Sequence, residues 1–213
     1  MERHEVIQKI VDELGEKAVP RLVDMLKEEE DPELWELVCD ALVALGNKGM
    51  EALYSVFMEA ITPHPIPNDP FPLVIAGILA EHKYKKIEKH LPLLMEYYDE
   101  LGQLLIYDMM VELGKYHEKL PEIIAYHLLD EESDREVVEI SAMILGKMAT
   151  EESLRILLNA YEKIEDHSIR AIIVEAIYKS LVENPALESR LRDHNRGEEV
   201  LEKMRIFLDT SSS

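Results

Sequence analysis

The residue types that most often carry chemistry are few in this sequence, and their spacing does not assemble a reaction. Eight histidines stand at positions 4, 64, 82, 90, 117, 127, 167 and 194. No two of them are four apart with a glutamate between, the spacing that puts a zinc pair and its general base on one helical face. The single cysteine, Cys39, lies among Val38, Ala41 and Leu42, where a small apolar thiol packs as core, and no intramolecular disulfide can form. There is no Gly-rich phosphate loop, and no Ser/His/Asp or Cys/His nucleophile follows from spacing. No catalytic residue, no metal and no cofactor is therefore expected. What remains is carboxylate at regular intervals, which suits recognition of cations rather than the making of bonds.

Those carboxylates have a register. Residues four apart share one stripe of a helix. Counted from the aspartate that opens each of four helical stretches, the fifth, ninth and thirteenth places read Glu36, Asp40, Ala44; then Leu104, Asp108, Glu112; then Glu139, Met143, Lys147; then Ala171, Glu175, Lys179. The other faces of these stretches are apolar and must be buried, so this stripe is the exposed one. It predicts a shallow acidic groove of Glu36, Asp40, Asp108, Glu112, Glu139 and Glu175, with Leu104, Met143 and the flanking Tyr107 and Tyr178 as apolar anchors. A protein or basic peptide is the partner such a groove would take. A polar stripe is also what any solvent-facing helix shows, and the residues alone leave both readings open.

The balance of charge narrows the partners further. The chain has 44 acidic against 23 basic residues, which disfavours nucleic acid and anionic membrane surfaces, both of which bind through Lys and Arg. No window approaches the ~18 apolar residues of a membrane helix. Met1 to Glu5 lacks the basic start and apolar run of a signal peptide. A cytoplasmic location is expected.

The elements that must hold the stripe are helices. Only 8 Gly and 3 Phe occur among abundant Glu, Leu, Ile, Ala and Lys, an all-helical composition with an aliphatic core. Val6, Ile7, Ile10, Val11 and Leu14 sit at one-sided helical spacing and end at Gly15. Ala18 to Leu26 carries Pro20 in its first turn, where proline is tolerated. Asp31-Pro32 then opens a helix that is apolar on most sides and closes at Leu45-Gly46. Aspartates at 31, 69, 99, 134 and 166, 30 to 38 residues apart, open five such helices. Stretches around Lys89 to Met95, Lys119 to Ile124 and Ser153 to Leu158 supply preceding partners, so the repeating unit is a helix pair.

This pattern resembles the HEAT repeat family in its short HEAT-like form, the form also found in bilin lyases. Its unit reads Asp-Pro-x-Val-Arg, a run of Ala, then Leu-Gly. Asp166 to Arg170 is similar to that signature, with Arg170 at the arginine place, and Asp31-Pro32 to Leu45-Gly46 matches the turn and the end. Trp35, Gln103 and Val138 stand where the family has arginine. The resemblance implies a right-handed α-solenoid of about eleven or twelve helices in antiparallel pairs: one domain over 1–213, with an N-terminal cap at 1–15, repeats over 17–183 and a C-terminal cap over 186–208. It also implies that the second helices line a concave face. Some HEAT-repeat enzymes, the deoxyhypusine hydroxylases, bind iron through His-Glu pairs inside those helices. Here His117-Glu118 follows Gly114 at a helix start and His4-Glu5 lies in the first turn of the first helix, so that chemistry is not expected.

Two places break the rhythm. Residues 62–72 hold five prolines in eleven positions, a stiff surface connection or a binding loop carrying His64, Ile66 and Phe71. Arg190 to Gly197 is polar enough for a mobile link. The sequence therefore reads as a non-catalytic protein- or peptide-binding scaffold, the alternative being an enzyme or accessory factor holding a cofactor or metal in the groove.

Overall fold

The computed structural model describes Lys9, residues 12–130 and residues 132–211, and among them the chain is all-helical, with twelve α-helices and no strand. The helix expected over residues 3–14 lies outside the described residues apart from Lys9 and residues 12–14, as does His4-Glu5. The helices fall into two compact units, Met1–Lys115 and Tyr116–Ser213.

In the first unit the helices are α1 (Val19–Glu28), α2 (Pro32–Ala44), α3 (Asn47–Ala60), α4 (Pro70–Glu81), α5 (Leu91–Leu94) and α6 (Glu100–Glu112). Each packs on its sequence neighbour or the next but one. The result is that α2, α4 and α6 lie side by side with α4 in the middle, while α1 packs against both α2 and α3. Cys39, Leu42, Leu53, Phe57, Ile75, Leu79 and Ile106 are fully enclosed in one aliphatic core, and burying each such side chain contributes about 1.5–3 kcal/mol. Trp35 closes this core edge-on to Phe71, with ring centroids 5.0 Å apart.

The aspartates do what their spacing predicts. Asp31, Asp69 and Asp99 sit just before α2, α4 and α6 in extended conformation, and their carboxylates accept the amides of Glu33, Phe71 and Gly102, filling donors the first helical turn leaves unpaired. Leu45-Gly46 and Leu113-Gly114 end α2 and α6 with glycine at φ 72° and 67°, the left-handed conformation that stops a helix.

The fourth residue after the aspartate has a shared task that its identity hides. Trp35 Nε1 donates to the carbonyl of Glu29 at 2.8 Å, and Gln103 Nε2 donates to that of Tyr98 at 2.9 Å. In the second unit Arg170 Nε donates to Ile164 at 2.5 Å. Three different side chains thus tie the helix to the loop that leads into it. Buried Val138, and Leu73 after Asp69, have no donor to do so.

The stretch expected to form a whole helix over residues 89–95 forms only the single turn of α5, preceded by a 3-10 turn at Lys85–Ile87. The chain is instead drawn across to the proline-rich insertion. Asn68 N donates to the Tyr97 carbonyl at 3.0 Å, Asp99 N donates to Asn68 Oδ1 at 2.8 Å, and Tyr98 donates its hydroxyl to the Asp69 carbonyl at 2.6 Å. Burial, and then the charge of Asp69, push the Tyr98 phenol above its ordinary value, so it stays a donor. Residues 62–72 are accordingly a fastened connection, and their last three residues already belong to α4.

The second unit consists of α7 (Leu120–Leu129), α8 (Arg135–Met148), α9 (Glu151–Lys163), α10 (His167–Glu183), α11 (Leu187–Arg192) and α12 (Gly197–Ser211). Asp134 and Asp166 precede α8 and α10, and Asp166 accepts the amides of Ser168 and Ile169. The tightest packing is α8 on α10: Ser180 Oγ donates to the Gly146 carbonyl at 2.9 Å, and a Cβ on Gly146 would lie 2.7 Å from the Ala176 oxygen. Of the expected link over 190–197, only residues 193–196 lie outside a helix, as a turn into α12. Leu187 and Leu191, four apart, are buried, and Arg192 reaches Glu188 at 2.6 Å, so residues 190–192 belong to α11. Val200 and Met204 of α12 are buried.

Candidate functional site

Sequence places a carboxylate row on α2 and another on α6, and the packing of the first unit decides what lies between them. Over α4 opens a cleft of about 500 Å³. Its walls are Glu36 and Asp40 from α2 and Leu105, Asp108, Met109 and Glu112 from α6. Its floor is Leu73, Val74, Gly77, Ile78 and Ala80 of α4, with Glu81 at the far end. The floor is apolar because α4 reads Pro-Phe-Pro-Leu-Val-Ile-Ala-Gly-Ile-Leu-Ala before its first charged residue, Glu81. Five carboxylates therefore ring a greasy trough. The Lys83 ammonium stands beyond the end of α4, 2.6 Å from the Glu112 carboxylate and 2.5 Å from its carbonyl.

Four of the predicted groove residues, Glu36, Asp40, Asp108 and Glu112, are brought together here. Leu104 is not, and its assignment as an exposed anchor is corrected: it is fully buried. Each residue turns the side chain by about 100° along a helix, and the wall of α6 that meets the cleft runs through Leu105, 37% exposed, rather than Leu104. Tyr107 is half-buried on α6 and does not line the cleft. The floor residues and Glu81 were missed. The signal was present, since the fifth and ninth places after Asp69 are Val74 and Ile78, and both line the floor.

The remaining predicted residues lie in the second unit, on α8 and α10. Glu139 is bound by Arg135 at 2.6 Å, and Glu175 by Lys179 at 3.4 Å. The Lys179 ammonium also stands 3.7 Å from the Met143 sulfur. Tyr178 is half-buried beside them. Charge is thus locally matched across this stripe.

No family model, curated protein or solved structure matches this chain. Its own geometry must carry the functional reading.

The other candidate groups have structural company. Cys39 is fully buried. His90 Nε2 and the Tyr54 hydroxyl are 3.1 Å apart, and burial, followed by the nearby Lys89 charge, lowers the pKa of His90. His117 precedes α7 rather than lying within a helix, and its Nδ1 accepts the Lys119 amide. Among the described residues no group of three or more His, Cys, Asp or Glu side chains is placed to hold a metal, and no helix is long and apolar enough to cross a membrane.

Proposed function

We propose that the first unit is a docking module for a basic segment of a partner protein, and that the chain is a cytoplasmic scaffold built as a HEAT-like α-solenoid whose second helices carry the binding face. The observation that carries the reading is the meeting of Glu36, Asp40, Glu81, Asp108 and Glu112 around an apolar floor. Carboxylates on a surface draw cations and set the rate of encounter, while an apolar floor gives a bound segment something to bury. Large faces assembled from neighbouring repeats suit this use. The paired placement of the opening aspartates and of the Trp35, Gln103 and Arg170 donors supports the repeat reading.

The test is binding of a lysine-rich amphipathic peptide by fluorescence anisotropy, at about 50 and 500 mM salt, where screening differs severalfold. Asp40→Lys with Asp108→Lys is expected to weaken binding at least tenfold, about 1.4 kcal/mol. Glu139→Lys with Glu175→Lys is expected to leave it nearly unchanged. Equal losses for the two pairs, or binding indifferent to both, would overturn the assignment to the cleft.

A further inference from the structure

The cleft constrains the conformation of what it binds as well as its charge, and this deepening rests on the reading of the cleft as a docking site for a basic segment. Neighbouring helices pack about 8–10 Å apart. With α4 between them, the axes of α2 and α6 stand about 16–20 Å apart, and a helix with its side chains, about 10–12 Å wide, fits over α4. The wall carboxylates Glu36/Asp40 and Asp108/Glu112 are each four residues apart in sequence, about 6 Å along their helices.

A ligand must therefore present three directions at once: an apolar face downward and a cationic row on each side. An extended strand points its side chains in only two opposed directions. A polyproline helix offers three, but each row then repeats about every 9 Å, three residues of roughly 3.1 Å, out of step with the walls. An α-helix offers all three directions with the same rise as the walls.

Gly77 adds an independent indication. Glycine inside a helix is disfavoured relative to alanine, yet a Cβ here would meet only the Met109 terminal methyl, at 3.7 Å, an ordinary contact. Nothing in the packing of the first unit requires this position to be bare. Its effect is to lower the floor between Val74 and Ile78 and let another backbone come close.

We infer that the occupant is a basic amphipathic α-helix, lying along α4 with a small or apolar residue over Gly77 and Lys or Arg rows facing Glu36/Asp40 and Asp108/Glu112. Charge complementarity selects the cations, and the apolar floor selects the stripe between them.

The probes are three peptides of about 15 residues, four helical turns, titrated onto the full chain. One is an amphipathic Lys/Leu/Ala helix, one the same composition scrambled, and one the amphipathic sequence interrupted by proline. The helix is expected to bind at least tenfold tighter than the other two and to gain helical circular dichroism on binding. Gly77→Leu, which fills the trough, is expected to weaken the helix at least tenfold with the chain's own spectrum unchanged. Gly77→Ala, whose methyl the site accommodates, is a second variant expected to bind several-fold weaker. If all three peptides bind alike, or if both Gly77 variants bind as wild type, the helical occupant is refuted while basic-segment docking stands. If none of the peptides binds, both fall.

Discussion

The two units carry the same acidic stripe and treat it in opposite ways. In the second unit each glutamate has a base one turn away on its own helix, Arg135 for Glu139 and Lys179 for Glu175. In the first unit α2, α4 and α6 contain no Lys or Arg at all, and the carboxylates of two of them face each other across α4. An i,i+4 pair neutralises charge where it stands. The walls of the cleft carry no such base on their own helices, and Glu112 is bridged instead by Lys83 from beyond α4. The lesson is that an acidic register by itself says little, and that the supply of bases within the same helix is what distinguishes the two stripes.

Glycine sharpens the contrast and gives the largest expected effect. Gly146 allows α8 to touch α10, where a Cβ would stand 2.7 Å from the Ala176 oxygen and 3.0 Å from its Cα. Backbone cannot step aside as a side-chain tip can, so Gly146→Ala should destabilise by about 1–3 kcal/mol, as overpacking does. Gly77→Ala meets one flexible methionine and should be neutral or stabilise by up to about 1 kcal/mol through helix propensity. Urea titrations of the two variants measure the difference. A harmless Gly146→Ala would mean that α8 and α10 are not held as closely as Ser180 and Gly146 indicate.

A smaller effect separates the units by pH. Burial, and then Lys89, depress the pKa of His90 in the folded first unit, while an unfolded histidine titrates near 6.5. The unfolded chain therefore takes up the proton first. The stabilising contribution is present above about pH 6.5 and is lost as pH falls through the folded value. Protection factors for amide exchange over residues 47–60 and 85–97, corrected for the intrinsic pH dependence of exchange, should fall between pH 7.5 and 5 in the wild type, and less so in His90→Gln, which keeps a polar partner for Tyr54. An identical pH response in the variant would remove His90 as the cause.

How much of this could be read in the sequence depends on which interactions are local. The opening aspartates and the Leu-Gly ends of α2 and α6 follow from spacing, because caps and amphipathic periods act within one or two turns, whereas Leu145-Gly146 lies inside α8. Trp35 and Gln103 looked like departures from the arginine place, yet both donate to the preceding loop as Arg170 does. What these three share is a donor of sufficient reach, which a comparison of residue types does not display. The placement of Leu104 on the groove failed because a stripe counted by fours fixes the face only to within a residue or so, and packing against α4 chose Leu105. Residues 89–95 failed for a non-local reason, the tether of Tyr97, Tyr98 and Asp99 to the insertion. The floor of the cleft belongs to the same class, since only tertiary packing sets α4 between two acidic helices.

The smallest expected effect on stability carries the finest test of the comparison. Arg135→Gln with Lys179→Gln removes the bases that pair with Glu139 and Glu175, and because exposed pairs contribute little, the melting temperature should barely move. Glu139 and Glu175 would then have no base one turn away on their own helices, as Glu36, Asp40 and Asp108 have none on theirs. They would still lack its trough, since α8 and α10 pack directly on each other through Gly146, Ala176 and Ser180 with no apolar helix between them. Calorimetric titration of the double variant with the amphipathic helix should keep a stoichiometry of one per chain. A second bound peptide would mean that carboxylates without a base on their own helix are sufficient and that the apolar floor over α4 is incidental, whereas a single site ties recognition to the floor that Val74, Gly77 and Ile78 provide.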